Sequence, residues 1–158
     1  MGCDIHCYVE YKNKAIDRWS PFGGAINPGR NYDIFAKLAG VRNYNGVKPV
    51  AERRGMPDDA AYVARYANVL FVTTSPGEEY VTPGQAAMWV ASGSSKYVGD
   101  ENQWVTHPDW HSHSWLTTQE FAHAIEGCGD IGYEVLLETL RAFEARGHEA
   151  RVVFWFDN

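Results

Sequence analysis

The stretch Asp4-Ile5-His6-Cys7-Tyr8-Val9-Glu10-Tyr11 alternates strictly, with Asp4, His6, Tyr8 and Glu10 on one side and Ile5, Cys7, Val9 and Tyr11 on the other. Successive side chains of a strand point to opposite faces, so a period of two residues predicts a β-strand with one polar face. At the far end, Arg151-Val152-Val153-Phe154-Trp155-Phe156 is an apolar run that reads as a buried strand. Helical signals lie between the two. Asn31 can cap a short helix bearing Ile34, Phe35 and Leu38 that stops at Gly40. Thr117 and Glu120 form a capping box, Leu116 and Phe121 a hydrophobic staple, and Gly127 a stop. Residues 131–146 carry Tyr133, Leu136, Leu137, Leu140 and Phe143 on one helical face. The order strand, helices, strand predicts an α+β fold. We expect a single compact domain over 1–158 whose central mixed or antiparallel sheet includes both terminal strands and is packed by several helices.

The middle of the chain is less regular. Pro21, Gly23, Gly24, Pro28 and Gly29 predict a long loop, and Asn45-Gly46 a turn. Pro57 and Asp58 open a helical stretch over Ala60–Tyr66, with Val63 and Tyr66 inward. Val69–Thr73 reads as a strand bounded by Ser75-Pro76-Gly77, and Gln85–Val90 as a short helix after Pro83. Gly93 to Asp100 is rich in Gly and Ser, so 75–105 reads as an insertion or a mobile loop region.

Composition narrows the function classes. The chain has 158 residues and 17.8 kDa, of which 45% are hydrophobic, enough for one domain with a sizeable core. The formal net charge is −6, from 14 Lys+Arg against 20 Asp+Glu, which argues against coating a long nucleic acid. No apolar run approaches the ~20 residues of a membrane span. Met1 to His6 lacks the basic and apolar regions of a signal peptide, and His6 stands where a myristoylation pattern wants Ser or Thr. Three cysteines make no disulfide framework, so reduced thiols in a cytoplasmic protein are expected. Aromatics reach 14%, which suits a compact aromatic core or a pocket for flat rings.

Several groups could carry chemistry. Asp4 and His6 emerge ~7 Å apart on one strand face, the way many hydrolase metal sites begin, although a hydrogen-bonded polar pair is the commoner use. His111-Ser112-His113-Ser114 lies just ahead of the helix opened by Thr117. If that stretch is extended, His111 and His113 share a face, and the cluster can bind a metal or an anion as readily as cap the helix. His107 and Asp109 are spare ligands nearby in sequence. Asp157 follows the C-terminal strand, where functional carboxylates often sit and where strands also simply end. Arg30, at the start of a helix with Asn31, Tyr32 and Asp33, could grip a phosphate. Asp33 could be a base or a first-turn acid that suits the helix dipole. Arg54, beside Gly55 and Pro57, is a better anion candidate than Arg53. Trp110 and Trp115 flank the histidines and could stack on a base or sugar. Walker loops, Gly-x-Gly-x-x-Gly, Gly-x-Ser-x-Gly, His-Glu-x-x-His and paired Cys-x-x-Cys motifs are absent, and nothing marks Cys3 or Cys7 as activated.

Gly2-Cys3-Asp4-Ile5-His6, Arg30-Asn31-Tyr32-Asp33-Ile34-Phe35-Ala36, Val41-Arg42-Asn43, Arg54-Gly55-Met56-Pro57-Asp58, His111 to Leu116 and Val153 to Asn158 together resemble a set of small proteins encoded by phages and prophages. The resemblance covers the two ends and the histidine cluster, and covers 68–105 poorly. It implies a bacterial host cytoplasm and a polar pocket that acts on a host metabolite or a nucleotide immune signal. The expectation is a phosphodiesterase-like hydrolase of a small nucleotide-like or phosphorylated molecule. Asp4, His6, His111, His113 and Asp157 would be catalytic. The first four would hold a divalent Zn or Mn ion or, failing a metal, act as general acid and base. Arg30, Tyr32, Asp33, Arg54, Ser112, Ser114 and Trp110 would bind the ligand, in a monomer or a homo-oligomer. Two other readings stand beside it: a sponge that retains the ligand uncleaved, and a protein inhibitor of a host defence enzyme.

Overall fold

The computed structural model describes residues 2–75 and 80–158, and the chain order is β1 (Ile5–Asn13), β2 (Arg18–Ile26), α1 (Tyr32–Ala39), α2 (Tyr62–Ala67), β3 (Val69–Val72), β4 (Tyr80–Val81), α3 (Pro83–Ser92), β5 (Tyr97–Val98), β6 (Trp104–Thr106), β7 (His111–Thr117), α4 (Thr118–Ile125), α5 (Ile131–Glu144) and β8 (Glu149–Phe156). The fold is α+β, and both terminal strands lie in the larger sheet. That sheet has the order β2-β1-β8-β7 and is antiparallel throughout, so β1 and β8 are its two central strands.

Ile5, Cys7 and Val9 of β1, Val152, Phe154 and Phe156 of β8 and Leu116 of β7 form one buried face. Against it pack Ile34, Phe35 and Leu38 of α1, Phe121 and Ile125 of α4, and Tyr133, Leu136 and Leu140 of α5. Caps hold these helices where the sequence places them. Asn31 accepts from the Ile34 N–H, Gly40 takes the left-handed position with φ 72°, and Thr117 and Glu120 complete the capping box.

Three expectations change. From Tyr8 onward the proposed polar face of β1 is also covered, since Tyr8 and Glu10, and Arg151, Val153 and Trp155 of β8, are buried. Charged groups can be buried there because they satisfy one another. Glu10 accepts from Arg151 Nε at 2.8 Å and from the Ala61 N–H at 2.7 Å, and the Arg151 guanidinium lies 3.9 Å from the Trp19 ring centroid. The loop expected around Pro21 to Gly24 is the edge strand β2, where a proline can sit because the outer side needs no ladder donor. In α2 it is Ala64 that is buried, and Tyr66 is exposed.

The chain divides into two compact units. One is Met1–Ala64 with His111–Asn158, and the other is Arg65–Trp110. The second unit has its own small sheet, of order β4-β3-β6-β5 with β3 and β4 parallel, and its own core of Val81, Ala86 and Val105. Much of the expected insertion or mobile loop region is therefore built from α3 and these short strands. Pro76 and Gly77 of the expected turn lie outside the described residues.

Candidate functional site

Antiparallel pairing brings the start of β1 beside the end of β8. His6 lies opposite Trp155 and Ile5 opposite Phe156. One residue further out, the Asp4 N–H donates to Asp157 Oδ1 at 2.9 Å, and the Asp157 N–H donates to the Asp4 carbonyl at 3.1 Å. The other Asp157 oxygen meets His6 Nε2 at 2.9 Å. Both side chains are a little under one-third exposed, at 28% and 29%. Burial tends to raise the Asp157 pKa, but the Asp4 N–H, His6 and Arg30 together hold it below the usual carboxylate value. An imidazole is thus fixed by an ionised carboxylate that is itself held by the backbone.

Arg30 reaches this end from the loop before α1. Its Nε and Nη2 grip the two Asp4 oxygens at 2.9 and 2.8 Å in a bidentate fork. The guanidinium lies so close to Gly2 that a Cβ there would collide with it. Tyr32, at the start of α1, accepts from the Cys3 N–H at 3.3 Å, and its ring lies edge-on to Tyr44, which is 75% exposed. Asp33 is exposed in the first turn of α1, where it complements the helix dipole. Burial pushes the Cys7 thiol up, and the Cys3 thiol as well, which is the reverse of activation.

β7 supplies the histidine cluster on the other side of β8. Its register shifts between His111 and Ser114, since His111 faces Phe156 while Ser114 faces Phe154. Three residues of β7 therefore span two of β8, and the alternation expected for His111 and His113 is interrupted. The His113 ring stacks on Trp155, at 5.6 Å between centroids, and His111 lies against Phe156 at 6.3 Å. His6 stacks on Trp155 at 5.7 Å, so the indole stands between His6 and His113. The structure gives the four expected metal ligands separate neighbours: His6 and His113 each stack on Trp155, His111 lies against Phe156, and Asp4 is gripped by Arg30. Among the described residues, no three His, Cys, Asp or Glu side chains group closely enough to hold a metal ion.

The remaining candidates have other partners. Arg54 binds both oxygens of Glu120 at 2.5 and 2.8 Å, donates to the Trp115 carbonyl at 3.0 Å and lies 4.4 Å from the Trp115 ring centroid. It ties β7 to α4. Ser114 is buried and accepts from the Arg54 N–H at 3.1 Å. Ser112 accepts from Arg53 Nη1 at 2.9 Å. Trp110 belongs to the second unit, where it stacks on His107 at 4.6 Å, and the Asp109 N–H donates to His107 Nδ1 at 3.3 Å.

Sequence reasoning missed Trp155, Glu120 and Arg53 as neighbours of the candidate groups. Trp155 looks like one more apolar residue of a buried strand, and only the pairing of three strands shows it flanked by two imidazoles. No protein-family model matches the chain, and no curated protein or solved structure matches it. No helix of the described residues is long and apolar enough to cross a membrane.

Proposed function

We propose that this protein is a phosphodiesterase-like hydrolase of a small nucleotide-like or phosphorylated molecule, in which His6 acts as general base. A cyclic nucleotide immune signal of a bacterial host is the substrate that the resemblance to phage proteins favours. The observation that carries the proposal is the 2.9 Å contact of His6 Nε2 with Asp157 at a partly exposed sheet end beside Arg30. His6, oriented by Asp157, would take a proton from the attacking water. Asp157 then stabilises the imidazolium, which returns the proton to the leaving group. Asp4 occupies the Nε–Nη2 edge of Arg30 and Gly2 packs against Nη1, so a phosphate would meet the exposed remainder of the guanidinium.

The test is incubation of the purified chain with cyclic and linear nucleotides and NAD-derived signals, with and without Mn²⁺ or Zn²⁺. The free and heat-released fractions are then read by mass spectrometry. New product masses in the free fraction are expected, with kcat reduced about 10²–10⁴-fold in His6→Gln. No product from any ligand, or an unimpaired His6→Gln variant, removes the proposal. A binding protein that retains the ligand uncleaved is the second reading, favoured by the exposed Tyr44 ring beside Tyr32, which offers a stacking face. Intact ligand released only by heat would select it.

A further inference from the structure

The β7 bulge holds a serine in an uncommon backbone conformation. Ser112 has φ 55°, in the left-handed region that side-chain-bearing residues seldom enter. Such conformations persist where the surrounding structure enforces them, and they gather at working sites. The bulge also turns two consecutive side chains toward each other, with Ser112 Oγ 2.9 Å from His111 Nδ1. Arg53 Nη1 donates to the same oxygen at 2.9 Å. An arginine can only donate, so it takes one lone pair of Oγ and leaves the hydroxyl proton able to point at Nδ1. The other ring nitrogen, His111 Nε2, is buried with no hydrogen-bond partner among the described residues. A native structure rarely tolerates such an atom without a role for it.

We propose that Ser112 is a nucleophile, with His111 as its base and Arg53 as the cation that favours its alkoxide. A hydroxyl within hydrogen-bond reach of an imidazole nitrogen is the core of an activated serine, and a guanidinium on the oxygen stabilises negative charge there. This step takes only its phosphoryl substrate class from the hydrolase reading above, and it belongs to a second site, on β7, with its own base. Ser112 Oγ attacks phosphorus and its proton passes to His111 Nδ1. The bond from phosphorus to the leaving oxygen breaks with its electron pair on that oxygen, which takes the proton from His111. A phosphoserine ester remains. Water then attacks phosphorus and gives a proton to His111, and the Ser112 oxygen leaves and recovers that proton.

The experiment uses diisopropyl fluorophosphate on the intact chain, so it needs no knowledge of the natural ligand. Ser112 Oγ displaces fluoride, and the hydroxyl proton leaves through His111. The expected result is one diisopropylphosphoryl group per chain, which peptide mapping places on Ser112. Ser114, buried and engaged by Arg54, should stay unmodified. Ser112→Ala should abolish labelling, and His111→Gln should slow it about 10²-fold or more while circular dichroism shows an unchanged fold. Urea-unfolded protein should not label. No label on Ser112 in the folded chain, or an unchanged rate in a folded His111→Gln variant, overturns the proposal. Labelling of Ser112 in a protein that cleaves no nucleotide would uphold the serine and remove only the phosphodiesterase reading.

Discussion

Glu10 lies in the middle of β1 with no solvent exposure and meets Arg151 from a position 141 residues away. A buried ion pair adds little over apolar packing, but removing Glu10 leaves the buried Arg151 with only the exposed Asp59 carboxylate. Glu10→Ala should therefore lower stability by about 3–5 kcal/mol in urea unfolding. Asp59 also touches Arg151, at 3.0 Å, but its side chain is 66% exposed, so Asp59→Ala should cost under about 1 kcal/mol. Equal costs would show that burial does not set the ranking. The alternation in β1 correctly predicts that Glu10 shares a face with Asp4, His6 and Tyr8. It carries no information on whether that face meets water, because the cover comes from residues near Asp59 to Ala61 and from Trp19. Asp157 is similar. A carboxylate after a terminal strand reads as plain strand termination until β8 is paired with β1.

At the scale of elements, the capping signals are local and hold. Thr117 and Glu120 lie within one helical turn, so their reciprocal bonds can be read directly. Glu120 has a second role that cannot be read, because Arg54 reaches it across 66 residues. The Arg54 hydrogen bonds, working against burial and helped by Thr117, hold the Glu120 carboxyl down to about 2 from an ordinary 4.5. A depressed pKa means that the ionised form favours the folded state. The contribution is complete above about pH 4.5 and fades as pH falls from there through about 2. In urea titrations, wild type should exceed Glu120→Gln in stability by its full margin near pH 6, by less near pH 3, and by least near pH 2. A margin constant over that range would mean that the Arg54 pairing does not act through the charge. The β7 bulge shows the opposite limit of local reading. Strict alternation would put His111 and His113 on one face, but a single extra residue against β8 separates them.

For the whole molecule, a formal net charge of −6 repels phosphate chains, while Arg30 can still serve one small anion. Fluorescence anisotropy with a labelled single-stranded oligonucleotide should show no binding at physiological salt. Saturable binding that weakens with salt would instead indicate a basic track on the surface. The sequence by itself determined the α+β class, the central place of the two terminal strands and the capped helices. Those rest on periodicity and on contacts within one turn or strand. It also assembled the candidate groups, but as separate motifs. Only the tertiary structure decided that His6 meets Asp157 across 151 residues, that Trp155 divides His6 from His113, and that Arg65–Trp110 has a core of its own. The reason is physical. Strand register and face coverage follow from burying the sheet as a whole, and one residue of slip in register changes which side chains meet.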